Sequence, residues 1–585
     1  MLKRSIYPLF LLGIAYLLFS SQDAKIIIAG VAIFLIGMVF MEDGFKLFSG
    51  GMLERVLEKS TSNVPKAIAT GFIATAIVQS SSLLTIIVIS FLSAEMISLS
   101  GAIGVIFGSN IGTTTTAWIV SAFGVKINIA YYAMPMLIFG VIFRFNNNKI
   151  YQGLGNILVG LGFVFLGIGY MKEGFEAMKD GLDLAQFAMT GYLGVFVYIF
   201  IGAVATVVIQ SSSATMAIII TALATGQIEY VNALALAIGA NVGTTVTAII
   251  GSLSSNANGK RLAVAHFIFN VVTGLIAIVF LYQLADVVDI LSLNIGIDDK
   301  DYTMKLALFH TIFNVIGVIA VTPFTYKLVV FLEGLFIEVD EGIERAKYLD
   351  SVVIGVPESA LAALEKEVIH LYDNATEVFA HAISLHRHSF LDQENIFEVV
   401  KQSNAKIDID VDEFYETKIK ELYGDIVNYA TLSQDKMDED QRIQVYYYKI
   451  ASRDIVEAVK DVAELQKNVT LYQKSKNEVI KNEYNLLREK IANTLDKIDD
   501  IRGDDDDMDS LIKIKQLKED IKELDIIGNG RIDSLIRNNS ITPKMATSLI
   551  NDSSFAYDIS KRLIEAAITL WIKDQEIKTL AGEAS

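Results

Sequence analysis

Apolar runs long enough to enter or cross a bilayer occupy residues 5 to 21, 25 to 41, 66 to 93, 97 to 123, 129 to 143, 153 to 171, 188 to 225, 229 to 253, 262 to 285 and 304 to 332. A spanning helix needs roughly 20 such residues, so the pattern predicts a polytopic, all-α membrane region. From about Pro357 the pattern changes. Gly and Pro nearly vanish, and Ile480, Tyr484, Leu487, Ile491, Leu495 and Ile498 follow the three-and-four spacing of one buried helix face. This predicts a soluble helical bundle. Breaks around Leu391, Gly424, residues 471 to 476, Gly503 to Asp507 and Gly528 to Gly530 divide it into about six helices. The expected divisions are an N-terminal transmembrane helix or signal-anchor at 1–24, a first membrane repeat at 25–143, a second repeat with closing helices at 144–332, a linker at 333–356 and the bundle at 357–585. The first run follows Lys3 and Arg4 but has no small-residue cleavage pattern before Gln22 and Asp23, so it reads as a retained helix.

Basic residues in short loops mark the cytoplasmic side. Lys3 and Arg4, then Lys46, Arg55, Lys59 and Lys66, then Arg144 and Lys149, then Lys260 and Arg261 define four inside segments, whereas the Asp-rich stretch 286 to 303 reads as outside. The runs thread through these loops only if residues 66 to 93 enter and return on one side. By the same logic 188 to 225 returns from the opposite side. The sequence therefore predicts two upside-down repeats with re-entrant helical hairpins.

Direct repetition supports this reading. Gln79-Ser80-Ser81-Ser82 recurs as Gln210-Ser211-Ser212-Ser213, and Asn110-Ile111-Gly112-Thr113-Thr114 recurs as Asn241-Val242-Gly243-Thr244-Thr245, both at an offset of 131. Gly71, Thr75, Gly108 and Thr116 match Gly202, Thr206, Gly239 and Thr247 at that offset, while Met41, Gly44 and Phe45 match Met171, Gly174 and Phe175 at 130. Inverted repeats with interrupted helices are how many secondary carriers build a midplane site. Small polar residues also mediate helix packing in membranes, and one serine triplet alone would suggest no more than that. Two triplets, each preceded by Gln and followed by Asn-x-Gly-Thr-Thr, point to a solute site.

No Lys, Arg, Asp, Glu or His lies between residues 67 and 94 or between 97 and 123. An anion can still be held there by backbone N–H groups and hydroxyls at half-helix N-termini. Sodium accepts the same hydroxyl, amide and carbonyl oxygens as ligands. A multiply charged anion in a pocket without fixed cations needs mobile compensation, which makes co-bound Na+ the economical choice. Consecutive Thr residues turn away from one another on a helix, so Asn110 and Gly112 are expected to break the helix and Thr113 to cap the next. His266 with Asn270, and His310 with Asn314, form His-x-x-Phe-Asn pairs. An intramembrane His is a functional candidate, but each lies five residues from Arg261 or Lys305, which favours structural hydrogen bonding near a membrane surface.

Composition narrows the reading further. The chain is 52% hydrophobic with 40 Gly, and its mean hydropathy is +0.44. Its formal net charge is −18, with carboxylates crowded beyond about residue 333. An acidic chain argues against a nucleic-acid partner. Zero Cys excludes disulfides and thiolate chemistry. A serine-protease reading fails because there is no Gly-x-Ser-x-Gly elbow.

Two QSSS segments, each followed by N-x-G-T-T, resemble the sodium/phosphate cotransporter family over roughly residues 25 to 332. The resemblance implies a carrier, not an enzyme, that moves inorganic phosphate by Na+-coupled symport with alternating access. Substrate and Na+ would sit where the two hairpins meet. Gln79, Ser80, Ser81, Ser82, Gln210, Ser211, Ser212 and Ser213 would contact them, and Asn110, Thr113, Thr114, Asn241, Thr244 and Thr245 would complete the ion sites. No acidic residue in the hairpins offers a further charged Na+ ligand. The tail resembles PhoU-like regulators of phosphate uptake. There Glu457 and Asp461, at i,i+4 in residues 453 to 465, are similar to an acidic metal-binding helix and suggest a divalent metal. Any surface helix can place two carboxylates so, and the second acidic pair expected near Asp558 and Arg562 is missing. Expected partners are inorganic phosphate, sodium, the lipid bilayer and a second copy as a homodimer, with the protein in a bacterial inner membrane and its tail in the cytoplasm. The alternatives are a carrier of another oxyanion, or a phosphate-responsive sensor or scaffold that does not transport.

Overall fold

A computed structural model describes residues 21–49, 60–124, 130–179, 191–253, 255–336, 344–350, 353–391, 395–403, 411–504 and 506–583, with a few isolated positions besides. Most of the apolar run at 5 to 21 lies outside the described residues, as do Arg55 and Lys59. The chain divides into two compact units, residues 1–337 with 350–352, and residues 338–349 with 353–585. The described secondary structure is helical in both.

In the first unit α1 spans Gln22–Ser49, α2 Val64–Val78, α3 Ser81–Ser93, α4 Leu99–Gly112, α5 Thr114–Ile119, α6 Ala130–Arg144 and α7 Lys149–Lys179. Then follow α8 Gly191–Ile209, α9 Ser212–Ala224, α10 Tyr230–Ser252, α11 Ala257–Val279, α12 Leu281–Asn294, α13 Tyr302–Val321 and α14 Thr325–Leu335. Seven described segments are long and apolar enough to cross a membrane, whereas α2, α3 and α9 are shorter apolar helices. Large apolar side chains such as Phe139, Phe196 and Phe200 are exposed on this unit, as expected of a surface that meets lipid.

Glycines set the packing. A Cβ on Gly30 would meet the Gly167 carbonyl, on Gly37 the Gly160 carbonyl, and on Gly44 the Gly153 carbonyl, each within 2.8 Å. The residue numbers in each pair have a constant sum, so α1 and α7 run antiparallel at backbone contact. These helices carry the matched Met41 and Met171, which makes them equivalent members of the two repeats packed head to tail. The α2–α4 contact repeats in α8–α10: Gly71 abuts the Val105 carbonyl as Gly202 abuts that of Leu236.

Both QSSS segments break a helix. Gln79 and Gln210 hold left-handed backbone conformations, with φ of 61° and 58°, and each donates its N–H to the carbonyl of Thr75 or Thr206 at 2.7 Å. The following Ser80 and Ser211 are N-caps, whose hydroxyls accept from the Leu83 and Ala214 N–H groups at 3.2 Å. In the second copy the chain doubles back: the Thr206 hydroxyl, before the break, lies 3.0 Å from that of Thr215 after it.

The expected break is found in the first copy, where α4 ends at Gly112 and α5 begins at Thr114, but not in the second. Thr113 stays in right-handed helical geometry without a side-chain cap, and α10 runs uninterrupted through Asn241 and Gly243. The hydroxyls of Thr113, Thr114 and Thr115 instead fold back onto the carbonyls of Asn110, Ile111 and Gly112 at 2.7–2.8 Å. This satisfies the hydroxyls of the polar run within the chain, while the backbone at Thr113 stays close to helical. Gly112 and Gly243 serve close approach to Thr75 and Thr206.

The second unit contains α15 (Pro357–Ala382), α16 (Ile396–Gln402), α17 (Val411–Phe414), which continues through a π-helical turn at Tyr415–Ile419 into α18 (Lys420–Leu432), then α19 (Glu439–Tyr472) and α20 (Glu478–Arg502). It ends with α21 (Asp507–Asp520), α22 (Arg531–Arg537), α23 (Pro543–Trp571) and α24 (Gln575–Glu583). Breaks are found near the positions read from sequence, except that Gly424 lies inside α18 and the chain turns at Ser433–Lys436, but further breaks such as 538–542 and 572–574 divide the unit into more than the six helices expected. Ile480, Tyr484, Leu487, Ile491, Leu495 and Ile498 are all buried. Arg488 is buried too, and its guanidinium is held by the carbonyls of Ile383, Ser384, Val400 and Ser403 and by Asn485.

Asp552 on α23, also buried, accepts from the Tyr484 hydroxyl at 2.5 Å. Burial pushes its carboxyl from 3.8 up to about 6, with Tyr484 opposing. The folded state then binds the extra proton between those values, so this group's contribution to stability is full below the lower one and lost as pH rises through the upper. Amide exchange across residues 543–571 of the full chain, corrected for intrinsic rate, is expected to show protection falling from pH 4 to pH 7. Asp552→Asn should flatten that trend, and a native profile independent of pH would contradict it.

Candidate functional site

The two serine triplets meet. Gln79, at the first break, accepts from the Thr116 hydroxyl at 2.8 Å and donates to that of Thr115 at 2.8 Å. The Thr116 hydroxyl also lies 3.2 Å from that of Ser213 on α9. One side chain thus joins the Gln of the first motif to the last Ser of the second.

A cavity of about 200 Å³ opens beside this junction, lined by Ser81, Ser82, Thr85, Gln210, Thr244, Thr247 and His266 together with apolar side chains. It adjoins a small recess whose walls include Ser109, Asn110, Thr113, Ser212 and Asn241. Ser81 and Ser82 form the first turn of α3, and Ser212 begins α9. Each helix therefore turns its N-terminal end toward the same space, where free N–H groups and the helix dipole favour negative charge. His266 is the one ionisable residue in these walls. The lining supplies hydroxyl and amide oxygens for a hard cation and N–H and O–H donors for an oxyanion.

Most of the residues singled out from sequence are brought together here, with distinct roles. Ser81, Ser82, Gln210 and Thr244 line the cavity, and Asn110, Thr113, Ser212 and Asn241 line the recess. Gln79 and Ser213 are tied through Thr116. Ser80 and Ser211 cap helices and are absent from the lining. Thr114 donates to the Ile111 carbonyl and accepts from Thr311 at 3.1 Å, whereas Thr245 donates to the Val242 carbonyl.

The two copies differ in state. Gln79 is buried and paired with Thr116, but its counterpart Gln210 is exposed. Among the described residues no corresponding bond joins Gln210 to Thr247, and both face the cavity. The first copy is closed where the second is open.

Sequence reasoning missed several residues. Thr116 and Thr247 carried a signal, since they share the 131-residue offset. Thr85 and Ser109 carried none. Glu42 on α1 accepts from the Ser80 hydroxyl at 3.1 Å and pairs with Lys46 at 2.8 Å. It brings a carboxylate to the first motif from a helix 38 residues away, outside the hairpins that were searched for acidic ligands. His266 reads from sequence as structural, yet it forms part of the cavity wall.

In the second unit the described residues give no support for a metal at Glu457 and Asp461. Glu457 pairs with Lys460 at 2.9 Å and Asp461 with Arg562 at 3.6 Å. Hydrogen bonding to Lys460 holds the Glu457 carboxyl low, while burial pushes that of Asp461 up. Among the described residues no group of three or more Asp, Glu, His or Cys is placed to hold a metal ion. The helix spacing put both carboxylates on one face, but neighbouring cations neutralise them.

Residues 33–173 and 181–297 match the family model described as Na+/Pi-cotransporter. The chain is 28% identical over 276 residues to the "Putative inorganic phosphate export protein YjbB" of Escherichia coli (strain K12), covering 46% of this chain and 48% of that protein. It thus spans about half the length of that relative. It is 29% identical to the uncharacterized protein YqeW of Bacillus subtilis over 45% of this chain and 84% of YqeW. Over a shorter stretch, 14% of this chain and 12% of the relative, it is 38% identical to the human sodium-dependent phosphate transport protein 2B. No solved structure matches. The motifs that meet at the cavity lie within the matched residues, and through its first unit the chain is similar to the Na+/Pi-cotransporter family, a family of transporters.

Proposed function

We propose that the protein is a Na+-coupled phosphate symporter of a bacterial cytoplasmic membrane, working by alternating access between two inverted repeats. The observation that carries this reading is the unequal state of equivalent parts: Gln79–Thr116 closed at 2.8 Å, Gln210 and Thr247 open on a cavity. Repeats related by a two-fold axis can exchange these states, which would expose the site to one side and then the other. The opposite state would pair Gln210 with Thr247 and release Gln79. The antiparallel contact of α1 and α7 would let the copies rock about a glycine-lined seam.

Phosphate would lie against the N-terminal turns of α3 and α9, with Na+ on hydroxyl and amide oxygens of the same walls. The absence of Lys and Arg from those walls supports coupling, because the co-transported cations supply the charge that the pocket lacks. Glu42 would bias the first motif toward cations through Ser80. The tail would act as a PhoU-like regulator on the cytoplasmic face, a reading supported by the basic residues in the loops read as inside.

The name of the YjbB relatives favours a second reading in direction, namely phosphate export. A coupled carrier runs whichever way its combined gradients drive it, so one site serves either direction. Proteoliposomes loaded with or without labelled phosphate separate the two. An inward Na+ gradient is expected to accelerate uptake severalfold over an equal K+ gradient. Efflux from loaded vesicles with no uptake under any Na+ gradient would favour export, and no flux in either direction would contradict transport.

A further inference from the structure

We propose that His266 contacts the transported oxyanion through its imidazole, as the ring donor of a cavity whose other polar lining groups are hydroxyls and an amide. This rests on the phosphate-transport reading and adds to it a residue outside the duplicated motifs. His266 sits on α11 and is 6% exposed. It lines both the cavity and its recess. Its Nδ1 is buried and has no hydrogen-bond partner in the protein. Leaving such a group unpaired is costly, and the part of the ring that lines the adjoining space is where a ligand would meet the side chain.

The second His-x-x-Phe-Asn helix provides an internal comparison. On α13 the His310 Nε2 lies 3.1 Å from the Asn241 amide oxygen, and Asn241 in turn donates to Asn314 at 2.7 Å. The other ring nitrogen of His310 is also unpaired, but His310 is not part of the cavity wall. Asn110 is the counterpart of Asn241 and shares the recess with His266. It donates instead to the carbonyl of Ile106 at 2.9 Å. One histidine is thus tied to its asparagine, while the other faces open space.

The helix that carries His266 is also anchored on either side of it. Asn270 donates to the His266 carbonyl at 3.1 Å, and Phe269 stacks on Phe107 of α4 with centroids 4.5 Å apart. A neutral imidazole both donates to and accepts from a partly protonated phosphate.

The test uses the full chain in lipid nanodiscs with labelled inorganic phosphate in Na+ buffer. His266→Ala is expected to weaken phosphate binding about tenfold or more, and His266→Gln to restore part of the loss, since its amide supplies a donor and an acceptor. In the native protein labelled with 15N-histidine, the resonance that His266→Gln removes should shift when phosphate is added with Na+. That measurement needs no variant to bind or transport. Equal phosphate affinity of native and His266→Ala protein, or a His266 resonance unmoved at saturating phosphate, would overturn the inference while leaving the transport reading intact. Failure of the native protein to bind phosphate would overturn both.

Discussion

Alanine at Gln210 is expected to lower phosphate transport by roughly one to two orders of magnitude, and alanine at Gln79 to do so as strongly by a different route. Gln210 faces the cavity, so its loss should act on binding and raise KM. Gln79 is buried between Thr115 and Thr116. Its loss would leave hydroxyls unpaired in the closed copy and should shift the balance of states, lowering kcat more than affinity. Both effects would be read in initial uptake rates by reconstituted protein over a range of phosphate, with Thr547→Ala on an exposed face of α23 as the control. If either Gln variant behaved like Thr547→Ala, the assignment of the motif glutamines would fail.

Gly108→Ala and Gly239→Ala are expected to abolish accumulation of folded protein. A methyl group would lie 1.9 Å from the Ile68 carbonyl oxygen in the first case and 2.0 Å from that of Ile199 in the second. Both obstacles are backbone atoms of helices already in contact, so no side chain can swing away. Overpacking typically costs about 1–3 kcal/mol where neighbours can adjust, and here the helices would have to part. Gly251 has nothing within 4 Å of the same point, so Gly251→Ala should accumulate normally. Monodisperse yield and thermal midpoint in detergent would check all three. Native-like behaviour of Gly108→Ala would mean that the α2–α4 seam is looser than its geometry indicates.

The repeat at 131 residues was readable because its glycines and polar residues have no substitutes. Only glycine permits the Gly71–Val105 and Gly202–Leu236 approaches, and only a break lets Gln79 and Gln210 turn left-handed. The amphipathic face from Ile480 to Ile498 was legible for a similar reason, since helix period and burial coincide there. Local sequence failed where a tertiary contact outweighed a local preference. Asn110 and Gly112 looked like a helix break, and α4 does end at Gly112, but the equivalent Asn241 and Gly243 lie inside an unbroken α10. Gly424 looked like a boundary, yet α18 runs through it. Glu42 gave no sign of its role because Ser80 reaches it from another helix. His266 was discounted for its closeness to Arg261 in sequence, whereas its place in the cavity depends on how α11 packs against α3 and α4. The two carboxylates of α19 misled in the opposite direction, since Lys460 and Arg562 already neutralise them.

The tail supplies a separate check on the regulatory part of the account. Deletion of residues 340 to 585 should leave a carrier whose uptake no longer responds to phosphate supply. Unchanged uptake with an unchanged response would remove the tail from control of transport.

The most direct measurement is the phosphate affinity of the purified full-length protein, by titration calorimetry, as a function of Na+ at constant ionic strength. A site without fixed cations should bind phosphate at least about tenfold more tightly in Na+ than in choline, and by linkage phosphate should raise Na+ affinity by the same factor. Phosphate affinity that stays the same when choline replaces Na+ would contradict the account.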